Sequence, residues 1–301
     1  MKDERFSVLD HLGTFKYRLL YEVYYDLLAR RGNSPGVTAQ KRGVPLVVSL
    51  TSIPERLNKL HLCVESLLRQ SCKPDHLILW LDDSVPDPLP ESVGRLTRRG
   101  LTIRRCRDIR SYKKIIFALR DYPNAVIATA DDDFFYPRHW LRDLYQAYER
   151  DPRFIYCHRA HMVVVDGAGP RPYREWNFES PGLQGPSNLL FPTGAGGVLY
   201  PPGSLSKEVL NEAVFTEICP TADDIWLKAM ALLAGTSCMK VAPGTGVFVQ
   251  IQGTQTRALW RANTIENGND RQFHAVFERY GLTPLLLEDA GVGSQVRAKT
   301  A

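Results

Sequence analysis

The sequence predicts an α/β protein, with a mostly parallel central sheet flanked by helices in one large domain and a helical extension before it. Three observations predict this. Apolar strand-like runs alternate with helical patterns from Pro45 onward, the signature of a parallel sheet with helical crossovers. The clearest buried-strand candidate, AVIATA, stops abruptly at Asp131, Asp132 and Asp133. A chain of 301 residues, 44% hydrophobic and 24% charged, has ordinary globular composition and enough length for one large core.

The elements follow in order. Residues 1–31 carry Leu12, Phe15, Leu19, Val23 and Leu27 at helical spacing, with Lys16, Arg18, Arg30 and Arg31 around them. Such a helix can pack on the main domain or lie on an acidic bilayer surface, and Glu22 and Asp26 dilute its basic face. The Gly- and Pro-bearing segment 32–43 reads as a linker. PLVVSLTS is then a buried strand. Leu57, Leu60, Val64, Leu67 and Leu68 share one helical face, and HLILWLDD is a second strand. LTIRRC is a third strand, SYKKIIFALRDY a helix, and AVIATA a fourth strand. WLRDLYQAY is helical, and FIYCHRAHMVVVD holds two strands or one bent one.

The polar stretch from Gly167 to Gly197 is too long for an ordinary connector and reads as a structured loop at a site or a partly mobile one. ADDIWLKAMALLA is a helix whose first turn carries Asp223 and Asp224, where carboxylates suit the helix dipole. MKVAP and GVFVQI are short strands, and NDRQFHAVFERY is a final helix ended by Gly281. The expected division is a helical extension and linker over 1–43, the main domain over 44–285 and a disordered tail over 286–301.

The net charge of +5 is mild and its basic residues are scattered, which favours anionic small molecules or an acidic membrane surface over duplex nucleic acid. Six cysteines form no CxxC pair and most sit in apolar segments, as reduced thiols do. With no apolar run of membrane-spanning length and no signal-peptide core, the expectation is a cytoplasmic protein or one peripheral to the membrane.

The chemistry gathers at strand ends. Three adjacent carboxylates repel one another, and hard divalent cations such as Mg²⁺ or Mn²⁺ offset such charge and bridge it to substrate phosphates. A solvated acidic turn would explain the charges but not their place at the end of a buried strand. In parallel sheets ligands bind at the carboxyl ends of strands, where Thr51, Asp82, Asp83 and the triplet converge.

These residues resemble the nucleotide-sugar-dependent glycosyltransferases of the GT-A fold, closest in style to the large inverting family 2 group. The resemblance rests on VVSLTSIPERL before a helix, LILWLDDS, TADDDFFYP in the position of the DxD motif, and GAGG followed by ADDIWL. It implies a single catalytic domain with a Rossmann-like, mostly parallel sheet. It also implies Mn²⁺ or Mg²⁺ and a nucleotide-diphosphate sugar donor, a UDP-sugar above all. Asp131 would face the nucleoside or its ribose, Asp133 would ligate the metal, and Asp132 would assist either. The middle aspartate departs from the motif and leaves open which two of the three work.

By the same resemblance Thr51, Pro54 and Arg56 contact the nucleotide, and Asp83 accepts a hydrogen bond from the base. One of Lys113 and Lys114, with Lys114 as the candidate, approaches the diphosphate, or both lie on a solvated helix face. Asp224 is the expected general base and Asp223 its neighbour or an acceptor contact. His274 is a further candidate metal ligand, with His158 and His161 weaker ones. Gly194, Gly196 and Gly197 would let backbone approach a sugar. Trp176 and Trp226 are either stacking platforms or core, and residues 261–270 a lid or a loop. The implied reaction is inverting transfer to a hydroxyl of a saccharide or glycolipid in surface polysaccharide biosynthesis, without nucleic acid. A retaining enzyme on the same fold and a catalytically silent nucleotide- or carbohydrate-binding module are the alternatives.

Overall fold

The structure, a computed structural model, describes residues 4–40, 42–180, 182–241, 248–254 and 268–291, with side chains from residue 18 onward. Its strands are β1 (Leu46–Thr51), β2 (His76–Leu81), β3 (Leu101–Arg105), β4 (Val126–Ala130), β5 (Phe134–Phe135), β6 (Ile155–Cys157), β7 (Ala160–Met162), β8 (Val165–Asp166), β9 (Gly169–Pro170), β10 (Leu190–Pro192), β11 (Val198–Tyr200), β12 (Cys238–Lys240) and β13 (Val249–Gln250). Its helices are α1 (Glu4–Arg31), α2 (Leu57–Leu68), α3 (Glu91–Gly94), α4 (Lys113–Asp121), α5 (Trp140–Arg150), α6 (Glu212–Ile218), α7 (Asp223–Leu233), α8 (Gly268–Tyr280) and α9 (Thr283–Asp289).

Seven strands form the central sheet in the order β12-β6-β11-β4-β1-β2-β3. The four expected strands pair in parallel, β3 to β2 to β1 to β4. β11 enters antiparallel between β4 and β6, and β12 lies parallel to β6. A short connection from the 194–197 turn brings β11 alongside β4, which makes the sheet mostly rather than wholly parallel.

Helices cover both faces, so the inner strands β1, β2, β4, β6 and β11 are buried on both sides and their residues divide by parity, while the edge strand β3 is partly exposed. Leu46, Val48 and Leu50 of β1 join Leu79, Ala128, the α2 leucines and Trp140 on one face. Val47, Ile78 and Ile127 join Ile115, Ile116, Trp226 and Phe277 on the other. This two-sided burial explains why the strands read as continuous apolar runs.

Three expectations change. In α1 the stripe of Leu19, Val23 and Leu27 faces outward, and the helix docks instead through Tyr25, stacked on Phe135 at 4.9 Å, and through Ala29. Aromatic stacking and ion pairs can seat a helix without its longest apolar stripe. Residues 286–289, expected in a disordered tail, complete α9, because Leu286 is fully buried in the core. The segment 32–40 runs irregularly but is pinned, Gly36 N to Arg99 O at 2.7 Å and Thr38 N to Pro74 O at 2.9 Å. Among the described residues no helix is long and apolar enough to cross a membrane, and all six cysteines are free.

Candidate active site

Strand parity decides where each aspartate of the triplet points. Asp131 continues the Ile127–Thr129 side of β4, toward α4, and Lys114 Nζ meets its Oδ1 at 2.7 Å. Asp132 continues the opposite side, toward the start of α2, where Ser52 Oγ donates to Oδ2 and Arg56 Nη1 pairs with Oδ1. Asp133 follows the bend, with Arg56 Nη2 3.4 Å from its Oδ2, and its carbonyl accepts from Ile251 N at 2.8 Å. β13 pairs with β5 and so clamps the chain after the triplet. Burial raises the Asp132 carboxyl above the ordinary range although Arg56 and Ser52 oppose it. Burial, then the Asp131 charge, push the Asp133 carboxyl up to about 7.

The second carboxylate pair arrives from α7. Asp223 and Asp224 open that helix, and Lys114 Nζ stands 3.2 Å from Asp223 Oδ2. This contact is an ion pair without hydrogen-bond alignment, so Asp223 Oδ2 lacks a hydrogen-bond partner. Asp224 Oδ2 accepts from Gly194 N at 3.1 Å. Burial, then the Asp223 charge, raise the Asp224 carboxyl to about 7, with Lys114 pulling the other way. Burial alone would strip the Lys114 proton, but Asp131, Asp223 and Asp224 reverse this and hold the ammonium firmly charged. Lys114 is therefore no solvated helix residue; it is buried between the two carboxylate groups.

Gly194 is a glycine for a reason internal to the site. A Cβ there would stand 3.0 Å from Lys114 Nζ and 3.1 Å from Asp131 Oδ2. Gly197 has φ +76°, and a Cβ would fall 2.5 Å from the Trp140 ring. A Cβ on Gly196 would meet Arg159 at 2.7 Å. These glycines admit the protein's own side chains.

All three aspartates, Asp223, Asp224, Lys114, Thr51, Pro54 and Arg56 line one cleft of about 1190 Å³. The volume suits a ligand larger than a single sugar. Thr51 spends its hydroxyl on Trp80 O at 2.8 Å. Asp83 is exposed and outside this lining. Asp82, which shares the parity of Ile78 and Trp80, takes the cleft position instead. It is paired with buried Lys113 and capped by Ser84, whose bonds outweigh burial and lower its pKa.

His274 is not brought to the cleft: it sits on the exposed face of α8, while Phe273, Val276 and Phe277 take the inward positions. His158 turns to Trp140 O at 3.0 Å, away from the cleft. His161 lines the cleft with Nδ1 accepting from Glu179 N, and burial depresses its pKa to about 4. Trp176 and Trp226 are core residues, their indoles donating to Arg171 O and Val209 O. The exposed aromatic in the cleft is Phe178, from the long Gly167–Gly197 stretch, packed 4.5 Å from His161. Residues 261–267 of the expected lid lie outside the described residues, and 268–270 begin α8.

The donor set bears on a metal. Among the described residues no three His, Cys, Asp or Glu side chains form a cage of their own. Asp131 and Asp133 offer carboxylates to one cleft, which fits a hard cation held by one or two carboxylates and completed by substrate phosphates. The upward shift of Asp133 comes first from burial and then from the Asp131 charge, which a cation would offset.

A mostly parallel α/β sheet with carboxylate clusters at its strand ends puts the cleft where such sheets bind ligands. Residues 55–204 match the family described as Glycosyl transferase family 2. The chain carries a domain of this family and is a glycosyltransferase, with the nucleotide-sugar donor and saccharide acceptor that the family implies. Solved structures also align. The mannosyltransferase PcManGT from Pyrobaculum calidifontis, in complex with GDP-Man and Mn²⁺, is 16% identical over 95% of this chain and 86% of that one, at a TM-score of 0.46. S. aureus TarS 1-349 is 13% identical over 79% and 72%, at 0.48. The inositol-1-phosphate CTP transferase from T. maritima is 12% identical over 79% and 98%, at 0.43. With scores below 0.5 they carry no part of the assignment, which rests on the family match. No curated protein matches the chain in sequence.

Proposed function

We propose that the cleft catalyses metal-dependent, inverting transfer of a sugar from a nucleotide diphosphate, a UDP-sugar first, to a hydroxyl of a saccharide or glycolipid. The observation that carries this reading is Asp224: a cleft carboxylate with a pKa raised to about 7, one oxygen fixed by Gly194 N–H. A general base for a hydroxyl works best near the operating pH. The acceptor oxygen attacks the anomeric carbon as Asp224 Oδ1 takes its proton, and the bond from that carbon to the diphosphate oxygen breaks. One displacement of this kind inverts the anomeric centre.

Asp133 and Asp131 would hold the divalent cation, which when bound stabilises charge on the departing diphosphate as a Lewis acid. Asp132, engaged by Ser52 and Arg56, shapes the triplet from behind. Thr51, Pro54 and Arg56 border the nucleotide side, with Asp82 in the role expected of Asp83. Asp223 steadies Lys114 beside the base. The setting we propose is surface polysaccharide assembly at the cytoplasmic side, from the family's chemistry.

The test is transfer with UDP-, GDP-, CMP- and dTDP-sugars with and without Mn²⁺, and anomeric analysis of the product by NMR. An inverted anomer formed with Mn²⁺ supports the reading; a retained anomer removes Asp224 from the role of base.

A further inference from the structure

Three observations meet at the amino-terminal helix. On its outward face Leu19, Leu20, Val23, Tyr24 and Leu27 are 49, 64, 52, 56 and 45% exposed. The two carboxylates of this stretch both turn inward. Glu22 binds Lys59 at 3.0 Å and Gln252 N at 2.7 Å, and Asp26 binds His61 at 3.1 Å as well as Arg30. The outward face from residue 19 to 31 thus has Arg30, paired with Asp26, and Arg31, and no unengaged acid. The acids that dilute the basic face in the sequence are spent on docking the helix.

The third observation is a pocket of about 210 Å³ at the carboxyl end of α1, where Arg30, Arg95, Arg98 and Arg99 converge. Arg99 is satisfied by Glu65 and Ser34 O. Arg95 and Arg98 have no ion pair among the described residues, and Arg95 Nε is buried without a hydrogen-bond partner. A buried guanidinium nitrogen with nothing to donate to is a place for an anion oxygen.

We propose that this face docks on an anionic phospholipid bilayer. The apolar stripe enters the acyl boundary, and Arg95 and Arg98, with Arg30 at the rim, take a headgroup phosphate. Amphipathic helices bind membranes by this pairing of apolar area with cationic flanks. A second copy of the chain fits less well: a two-fold interface sets a patch against itself, and here that would oppose arginines with no carboxylate to receive them.

The experiment is co-sedimentation of the full-length protein with vesicles of phosphatidylcholine alone and of phosphatidylcholine mixed with phosphatidylglycerol. Wild type is compared with Leu20→Glu/Val23→Glu and Arg95→Gln/Arg98→Gln. Wild type binds the anionic vesicles and not the neutral ones, salt weakens it, and each double variant loses roughly tenfold or more in partitioning. Both variants keep the wild-type melting temperature and turn over nucleotide sugar in solution as before. Should the arginine pair fold poorly, Arg98→Gln alone, on an exposed side chain, reads the same loss.

Absent binding to anionic vesicles, equal binding to neutral ones, or binding undiminished in the variants overturns the proposal. So does a wild-type dimer in light scattering that Leu20→Glu/Val23→Glu makes monomeric without any vesicle binding, which assigns the face to a second copy. A thermal shift by inorganic phosphate without vesicle binding also overturns it, leaving a free-phosphate site. None of these readouts depends on which sugar is transferred.

Discussion

Lys114 Nζ lies 2.7 Å from Asp131 Oδ1 and also reaches Asp223 Oδ2 at 3.2 Å. One buried cation therefore joins the strand-end triplet to the pair on α7, and the two carboxylate groups form one electrostatic unit. Replacing Lys114 with Met leaves those carboxylates facing each other without compensation. Breaking a buried ion pair from one side costs about 3–5 kcal/mol, read as a lowered Tm. Removing the positive charge also raises the Asp224 pKa further, so the rising limb of the pH–rate profile moves above the wild-type midpoint of about 7.

Asp224→Asn removes the proposed base. Turnover falls by about 10²–10⁴-fold, while donor binding, followed by thermal shift with nucleotide, stays close to wild type. Unchanged turnover would sink the assignment. For wild type, kcat rises with pH as the Asp224 carboxyl, at about 7, loses its proton.

The same residue makes an opposite prediction for stability. In the folded protein Asp224 keeps its proton up to about 7, whereas an unfolded chain releases it near the usual 3.8. The proton thus stabilises the fold fully below that lower value, and the contribution is lost as pH rises through the upper one. Asp224→Asn needs no proton, so at pH about 8 the variant melts higher than wild type, with the difference shrinking toward pH 4. Melting curves across this range check it.

Asp133→Asn and Asp132→Asn separate the roles within the triplet. The first abolishes Mn²⁺-dependent transfer and the Mn²⁺-dependent part of the nucleotide thermal shift, as a chelator does for wild type. The second weakens the bonds to Ser52 and Arg56 and lowers Tm, since a buried charge left without its partner is costly.

Gly197→Ala tests the turn that admits β11. Its φ of +76° and the Trp140 ring 2.5 Å from the added methyl lower stability by about 1–3 kcal/mol. Gly194→Ala acts on activity instead, because its Cβ presses on Lys114 and Asp131.

Much of this was legible in the chain. Two-sided apolar runs marked β1, β2 and β4, the shorter LTIRRC marked β3, helical spacing marked α2, α4, α5 and α7, and the abrupt change from AVIATA to three aspartates marked the site. Strand parity would also have selected Asp82 over Asp83, since Asp82 shares the side of Ile78 and Trp80 that faces α4. Periodicity says which residues share a face, and that is a local property of the backbone.

Which element covers that face is not local. Nothing near residue 114 announces that Lys114 will sit between Asp131 and Asp223, 17 and about 110 positions away, because that depends on how the sheet and α7 close. The outward stripe of α1 is the same lesson reversed: its spacing was visible, but the choice of Tyr25 and Ala29 as the docking side came from contacts with Phe135 and α2. The sequence by itself determined the strands, the helices and the carboxylates at the strand ends. Tertiary structure alone decided which charges meet, and so gave Asp224 a carboxyl poised near neutrality, because burial and neighbouring charges act across space rather than along the chain.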